Sequence, residues 1–476
     1  MAVIVLSCKK DPQVLSAEAR FPAEVQRIFE NKCATAGCHN DKSFQNAAGL
    51  NLTTWDKLVY DGGVSGSVVI PFRPEFSSLF QFINSYEDLG LSAEPQMPLN
   101  GDNLSRSEVM TIKNWIEDGC KNDRGDIPFA SDFESRKKVM ISNQGCDVVA
   151  IVDAESKLIM RYITMGKETA IETPHFLSIS QDGQYWYSCF SSGEIVQKFE
   201  TVSGRLVGEA NIGPGSWNVV NVTDDGDVAY VSDLNNNGRI AKVNTTDMSL
   251  TQMYQGANLF TSPHGIASTP SGDTLYITAQ FGNSFYRFIP KAFSNQLISL
   301  VKGQVPNFVP NTFDPHEVIF SPDRSKYFFS CQSSNEVRVF DATADTLLKV
   351  IAVGRLPLEF AVSERNNLLF VSCSEEPNPI FPTLKGSVSA IDLDRLEIVK
   401  TIYGRFFQPH GMIVNEATNE LYVASRNADP TGPPPHHISE CGSRNGYFEV
   451  FDIPTWEQTV LPQELSVDPY AVIISK

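Results

Sequence analysis

The chain has 476 residues, 42% of them hydrophobic and 20% charged, the make-up of a folded globular protein rather than a disordered one. Its 38 basic and 56 acidic side chains leave a formal charge of −18, and without a basic stripe to neutralise phosphates a nucleic-acid partner is excluded. The length suits one small domain plus one large repeat architecture.

The first residues, MAVIVLSCKKD, place a short apolar run before Leu6-Ser7-Cys8. This resembles a bacterial lipobox, with Lys-Lys-Asp after Cys8 in the manner of Bacteroidetes lipoproteins. The resemblance implies lipidation at Cys8, anchorage to the outer membrane, and a periplasmic or cell-surface location. The run is too short to span a bilayer, and no later segment is long and apolar enough to do so. Nine cysteines, at 8, 33, 38, 120, 146, 189, 331, 373 and 441, leave the pairing of any disulfides open.

Residues 33–39 read CATAGCH. Covalent haem needs two thiols and an adjacent imidazole, normally as C-x-x-C-H; here the loop is two residues wider. Before it, Pro22 suits a first helical turn and Val25, Ile28 and Phe29 form one apolar face. After it come AAGLNLTTWDKLV, PFRPEFSSLFQFI and EPQMPLNGDNLSRSEVMTIKNWIEDGC. The last of these opens a helix with a capping box, Ser105 and Glu108, carries an apolar stripe of Val109, Ile112, Trp115 and Ile116, and stops at Gly119. This order of motifs resembles the compact cytochrome c domains of planctomycete and Bacteroidetes surface proteins. The resemblance implies a small all-α domain over 20–125, haem c on Cys33 and Cys38, His39 as proximal iron ligand and Met97 as distal ligand. The rival reading of the same thiols is a zinc site of Cys33, Cys38, His39 and Cys120.

Over 135–476 a unit recurs: a Pro-His-like start, a short apolar strand, a Ser-x-Asp-Gly-like turn, an aromatic strand, then two more strands. Its first strand appears as TPHFLSISQDG, SWNVVNVTDDG, SPHGIASTPSG, DPHEVIFSPDR, LPLEFAVSERN and QPHGMIVNEAT, with DPYAVIISK near residue 470 as a seventh copy. The other end of the region, from VMISNQGCDVV, lacks a leading strand. The expectation is an all-β, seven-bladed propeller whose last strand completes the first blade. The strand style resembles the YVTN propeller family.

Four of the seven histidines, His175, His264, His316 and His410, occupy one repeat position, filled elsewhere by Asn218, Leu358 and Tyr470. In a propeller that position lies at the start of the innermost strand, so the four imidazoles converge at the axis. Such a ring suits copper or another transition metal; a hydrated channel lining and a haem or organic ligand are the alternatives. His436 and His437, near Cys441, sit in a long seventh-blade insertion on the same face, where they can lid the ring or simply form an exposed pair. Cys189, Cys331 and Cys373 share another repeat position, where small buried hydrophobes are the default.

A cytochrome followed by a propeller resembles nitrite reductases that carry haem d, though those have eight blades. Nitrous oxide reductase holds copper at a propeller axis with more histidines and a copper relay domain. Neither activity carries over. The expectation is an extracytoplasmic haem c lipoprotein moving electrons between a redox partner protein and the axial site, possessing an oxidoreductase's parts. The alternative is a non-catalytic surface propeller that binds a partner protein or ligand within an outer-membrane complex.

Overall fold

Seven antiparallel sheets of four strands each surround one axis in the computed structural model, which describes residues 18–442 and 444–476. Cys8 and the lipobox-like run lie outside the described residues. The innermost strands are Pro469–Ile474, Pro174–Ile179, Trp217–Val222, Pro263–Ser268, Pro315–Phe320, Pro357–Ser363 and Pro409–Asn415, taken in order around the axis. Each packs against the next and the last against the first.

The repeat dictates this geometry locally. In the second blade the Ser180 hydroxyl donates to Asp182 (2.6 Å) and accepts from the Tyr185 amide (3.0 Å), while Gly183 takes φ +72°. Thr223 with Asp225, and Ser321 with Asp323, build the same turn. The strands leaving these turns are rich in Val, Ile, Phe and Tyr and wholly or largely buried, whereas outermost strands such as Leu206–Asn211 and Glu397–Ile402 are mostly exposed.

Closure follows the sequence expectation. Pro469–Ile474 pairs antiparallel with Lys138–Asn143 (Val139 opposite Ile474, Ile141 opposite Val472), so one blade is built from both ends of the repeat region. A disulfide between Cys146 and Cys441, 295 residues apart, ties that first blade to the seventh-blade insertion. Cys441→Ser is expected to lower stability by about 2–4 kcal/mol. The check is a lower melting midpoint under oxidising conditions that no longer responds to reductant.

The expected small all-α domain is not found. The chain is nearly all β, and among the described residues the stretch before the propeller holds three short α-helices: α1 (Ala23–Ile28), α2 (Ser78–Ile83) and α3 (Arg106–Glu117). The α3 capping box forms as anticipated, with Ser105 and Glu108 each satisfying the other's backbone amide. Between the helices, segments interrupted by glycine and proline run as single turns and coil. Ile70 and Phe76 from this stretch belong to the apolar cluster of the first and seventh blades, with Phe76 4.6 Å from the Tyr162 ring. Ser67 exchanges hydrogen bonds with the backbone of Ile159 (2.8 and 3.1 Å), and Gln81 does so with Ile438 (2.7 and 3.3 Å). The stretch is therefore laid against two blade edges rather than set apart as a helical unit.

One buried carboxylate makes stability depend on pH. Glu449, fully buried in the seventh blade, accepts from the Arg405 amide (2.9 Å) with one oxygen, and its other oxygen has no partner. Burial pushes its carboxyl from 4.5 up to about 8. The folded state thus keeps a proton that the unfolded chain releases near pH 4.5. The stabilisation is complete below that pH and is lost as pH rises toward 8, with a slope of up to about 1.4 kcal/mol per unit. Denaturant midpoints between pH 5 and 8 should fall in the wild type and fall less steeply in Glu449→Gln.

Candidate functional site

The seven positions singled out in the repeat are the second residues of the seven innermost strands. Each of these strands carries a register shift beside that residue, which frees its neighbour's amide from the ladder. A hydroxyl on the second strand captures that amide and reaches across to the next blade. Ser232 accepts from the Val219 amide (3.3 Å) and donates to the His264 carbonyl (2.6 Å). Thr278 accepts from Gly265 (2.8 Å) and donates to the His316 carbonyl (3.0 Å). Ser330 links Glu317 (3.0 Å) to the Leu358 carbonyl (2.6 Å) in the same way. These bridges fix the backbone at the ring positions, so the side chains carried there are held by neighbouring blades as well as by their own.

The rings touch in a closed sequence. Centroid separations are 6.0 Å for His175–His264, 4.2 Å for His264–His316, 5.7 Å for His316–His410, 3.6 Å for His410–Tyr470 and 4.2 Å for Tyr470–His175. All four histidines are buried. Burial holds His264 down to about 4 and keeps His175, His316 and His410 well below the ordinary imidazole value, with the neighbouring rings adding to the effect at His175, His316 and His410. The imidazoles are therefore neutral.

Their hydrogen bonding separates them. His175 is engaged at both nitrogens, Nδ1 with Gln144 (3.0 Å) and Nε2 with Asn218 (3.0 Å). The Nδ1–H of His264 donates to the His316 carbonyl (3.0 Å), leaving Nε2 free. Nδ1 of His316 and of His410 are buried with no hydrogen-bond partner. Arg426, the positive charge acting on this chamber, is spent on Asp468 through two bonds of 2.6 and 2.9 Å.

Two glutamates that the repeat reading passed over join the ring. Glu317 and Glu359 are buried one residue after the ring position in adjacent blades. His264, His316 and Glu317 present ligand atoms within 4.8 Å of one another, as do His316, Glu359 and His410. Burial raises both carboxyls, Glu359 to about 8 and Glu317 well above its ordinary value, with Glu359 adding repulsion at Glu317. Oε2 of Glu317 has no partner. The signal for them lay in the alignment itself: the residue after the ring position is Glu at 317 and 359 but Gly at 265 and 411.

Among the described residues these are the only two groups of His, Cys, Asp and Glu with ligand atoms so placed, so Cys33, Cys38, His39 and Cys120 do not assemble the rival zinc site. Cys120 is instead buried in an apolar cluster, where its carbonyl accepts from the Trp55 indole (2.6 Å). Cys189, Cys331 and Cys373 are likewise buried free thiols in blade cores.

Cys33 closes a π-turn, Phe29–Cys33, that continues α1, and the His39 amide donates back to the Cys33 carbonyl (3.1 Å). One tight loop thus holds Cys33, Cys38 and His39. His39 Nδ1 lies 3.2 Å from the Leu50 carbonyl, so Nδ1–H is the donor and Nε2 carries the free lone pair. Burial pushes the Cys33 thiol up to about 12. Met97, fixed by its amide to the Phe82 carbonyl (2.8 Å), packs half-buried on the same apolar cluster as Cys33, together with Ala34, Leu50, Val68, Tyr86 and Leu89.

His436 and His437 do not touch the ring. Both face Glu464, at 3.6 and 3.2 Å, and His436 also meets Ser65 of the N-terminal stretch. The insertion that bears them joins the N-terminal stretch to the blade edges.

No family model matches the chain, and no curated protein matches it in sequence. Its fold is similar to that of a functionally unknown protein from Desulfotomaculum acetoxidans, at 16% identity over 71% of this chain and 98% of that one, with TM-score 0.52. It is also similar to the hydrazine synthase of Kuenenia stuttgartiensis (16% identity, 61% and 79% covered, TM-score 0.46). A third similar structure is the dihydro-haem d1 dehydrogenase NirN in complex with DHE (12% identity, 95% and 98% covered, TM-score 0.48). At these identities the likeness is one of fold alone.

Proposed function

We propose that this protein is an electron-transfer protein that binds haem c through its N-terminal stretch and exchanges electrons with the axial chamber of the propeller. The observation that carries the reading is the orientation of His39. A histidine that ligates a metal normally gives its other ring N–H to a carbonyl or carboxylate, and His39 gives Nδ1–H to Leu50.

The residues present fit the group. Cys33 and Cys38 supply two thiols for covalent attachment, His39 a nitrogen ligand and Met97 a soft, neutral sulfur that favours ferrous iron and raises the potential. Bound there, haem iron supplies a one-electron couple. The chain's own part would be to aim His39 through the Leu50 carbonyl and to hold Met97 against the apolar cluster through the Phe82 carbonyl. The Cys146–Cys441 disulfide supports an extracytoplasmic location, where thiols oxidise. Lipid anchorage at Cys8 and a redox partner protein complete the reading.

The test is production in a host with a haem c maturation system, followed by haem staining of denatured protein. Covalent haem is expected in the wild type and absent from the Cys33→Ala, Cys38→Ala double variant. Met97→Ala should keep the covalent haem, lose the thioether–iron absorption feature and show a lower potential. Wild-type protein matured without covalent haem would sink the reading.

A further inference from the structure

We propose that the propeller axis binds one divalent first-row transition ion, held by His264, His316 and His410 with carboxylate oxygens from Glu317 and Glu359. This goes beyond the electron-transfer reading and does not need haem to be present.

Two triads carry the argument, His264–His316–Glu317 and His316–Glu359–His410, which share His316 and each offer two imidazoles and one carboxylate within 4.8 Å. Both glutamates are buried, yet among the described residues no lysine or arginine pairs with either, and Arg426 is committed to Asp468. Buried polar atoms are almost always satisfied. Here Nδ1 of His316, Nδ1 of His410 and Oε2 of Glu317 are all without partners, within one chamber. The closest pairing is His316 Nδ1 to Glu359 Oε1 at 3.9 Å, too long for a hydrogen bond. A single dication resolves the set, because two carboxylates balance its charge and the neutral imidazoles complete its coordination.

Space is kept for this arrangement. A side chain at Gly265 would stand 2.6 Å from Glu317 Oε1 and 2.9 Å from the His316 carbonyl oxygen. Any larger residue there would drive Glu317 out of its place. The donors are nitrogen and oxygen with no thiolate or thioether among them, which suits Fe(II), Mn(II) or Zn(II) and not soft Cu(I). His175 is left out of the set because Gln144 and Asn218 occupy its two nitrogens.

Zinc is the probe, because it has no redox chemistry and does not disturb haem spectra. Full-length protein is produced in zinc-supplemented medium, with zinc per chain measured by mass spectrometry and haem by its own absorbance, so either reading can fail without the other. Close to one zinc per chain is expected in the wild type, with a higher melting temperature than the chelator-treated form. Glu317→Gln and Glu359→Gln should each weaken zinc binding by at least about tenfold, a loss that even the outer partners of a metal ligand produce. His316→Gln should abolish binding. If His316→Gln does not fold by circular dichroism, Glu359→Gln, which keeps shape and removes only charge, decides the matter. Less than about 0.1 zinc per folded wild-type chain, or unchanged binding in Glu359→Gln, overturns the proposal.

Discussion

Deleting residues 469–476 should leave no soluble, cooperatively melting propeller. That segment supplies the innermost strand of the first blade, and Tyr470, Ala471, Val472 and Ile473 are all buried in it. Each large apolar side chain removed costs about 1.5–3 kcal/mol, and the lost ladder bares the edge of Lys138–Asn143, whose six residues are all buried. An open, hydrophobic strand edge is a template for aggregation. The total rivals the entire stability of an ordinary domain, about 5–15 kcal/mol. Recovery of the truncated chain in the soluble fraction, with a wild-type melting curve, would contradict this account of closure.

Gly411→Ala should destabilise the molecule by about 3 kcal/mol or more, a typical penalty for overpacking a rigid site. The added Cβ would lie 2.1 Å from the Tyr470 carbonyl oxygen and 3.0 Å from the Ala471 Cα. Both are backbone atoms of the closing strand, so no rotamer change relieves the clash, and the seam between the first and seventh blades must open. Gly256→Ala provides the contrast, since its nearest neighbour, the Leu259 Cβ, stands at an ordinary 3.9 Å. Thermal melts of the two variants should differ by many degrees, with Gly256→Ala within a degree or two of wild type.

The propeller was legible in the sequence because a repeat must place equivalent residues in equivalent environments. Ser180, Thr223 and Ser321 announce the same turn three times, and Pro-His or its substitutes mark every inner strand. Helix signals were legible too, as the Ser105–Glu108 box shows, but signals for helices are not signals for a separate helical unit. Ile70 and Phe76 read as ordinary apolar residues, and nothing local distinguishes one that fills its own core from one that fills a neighbouring blade. Glu317 and Glu359 escaped notice for a different reason. In an antiparallel strand the residue beside a ring position normally points to the opposite face, and the register shift after Pro315 and Pro357 suspends that rule. The Cys146–Cys441 link, spanning 295 residues, had no local signature at all.

Tyr470 lies against both His410 and His175, which makes it the segment that shuts the circle of rings. Because it rides on the closing strand, the chamber is complete only once that strand has docked beside Lys138–Asn143. The ion proposed for the chamber is therefore drawn from whichever compartment the protein finishes folding in. Metal choice in such a molecule is set by geography and timing as much as by the affinity of its ligands.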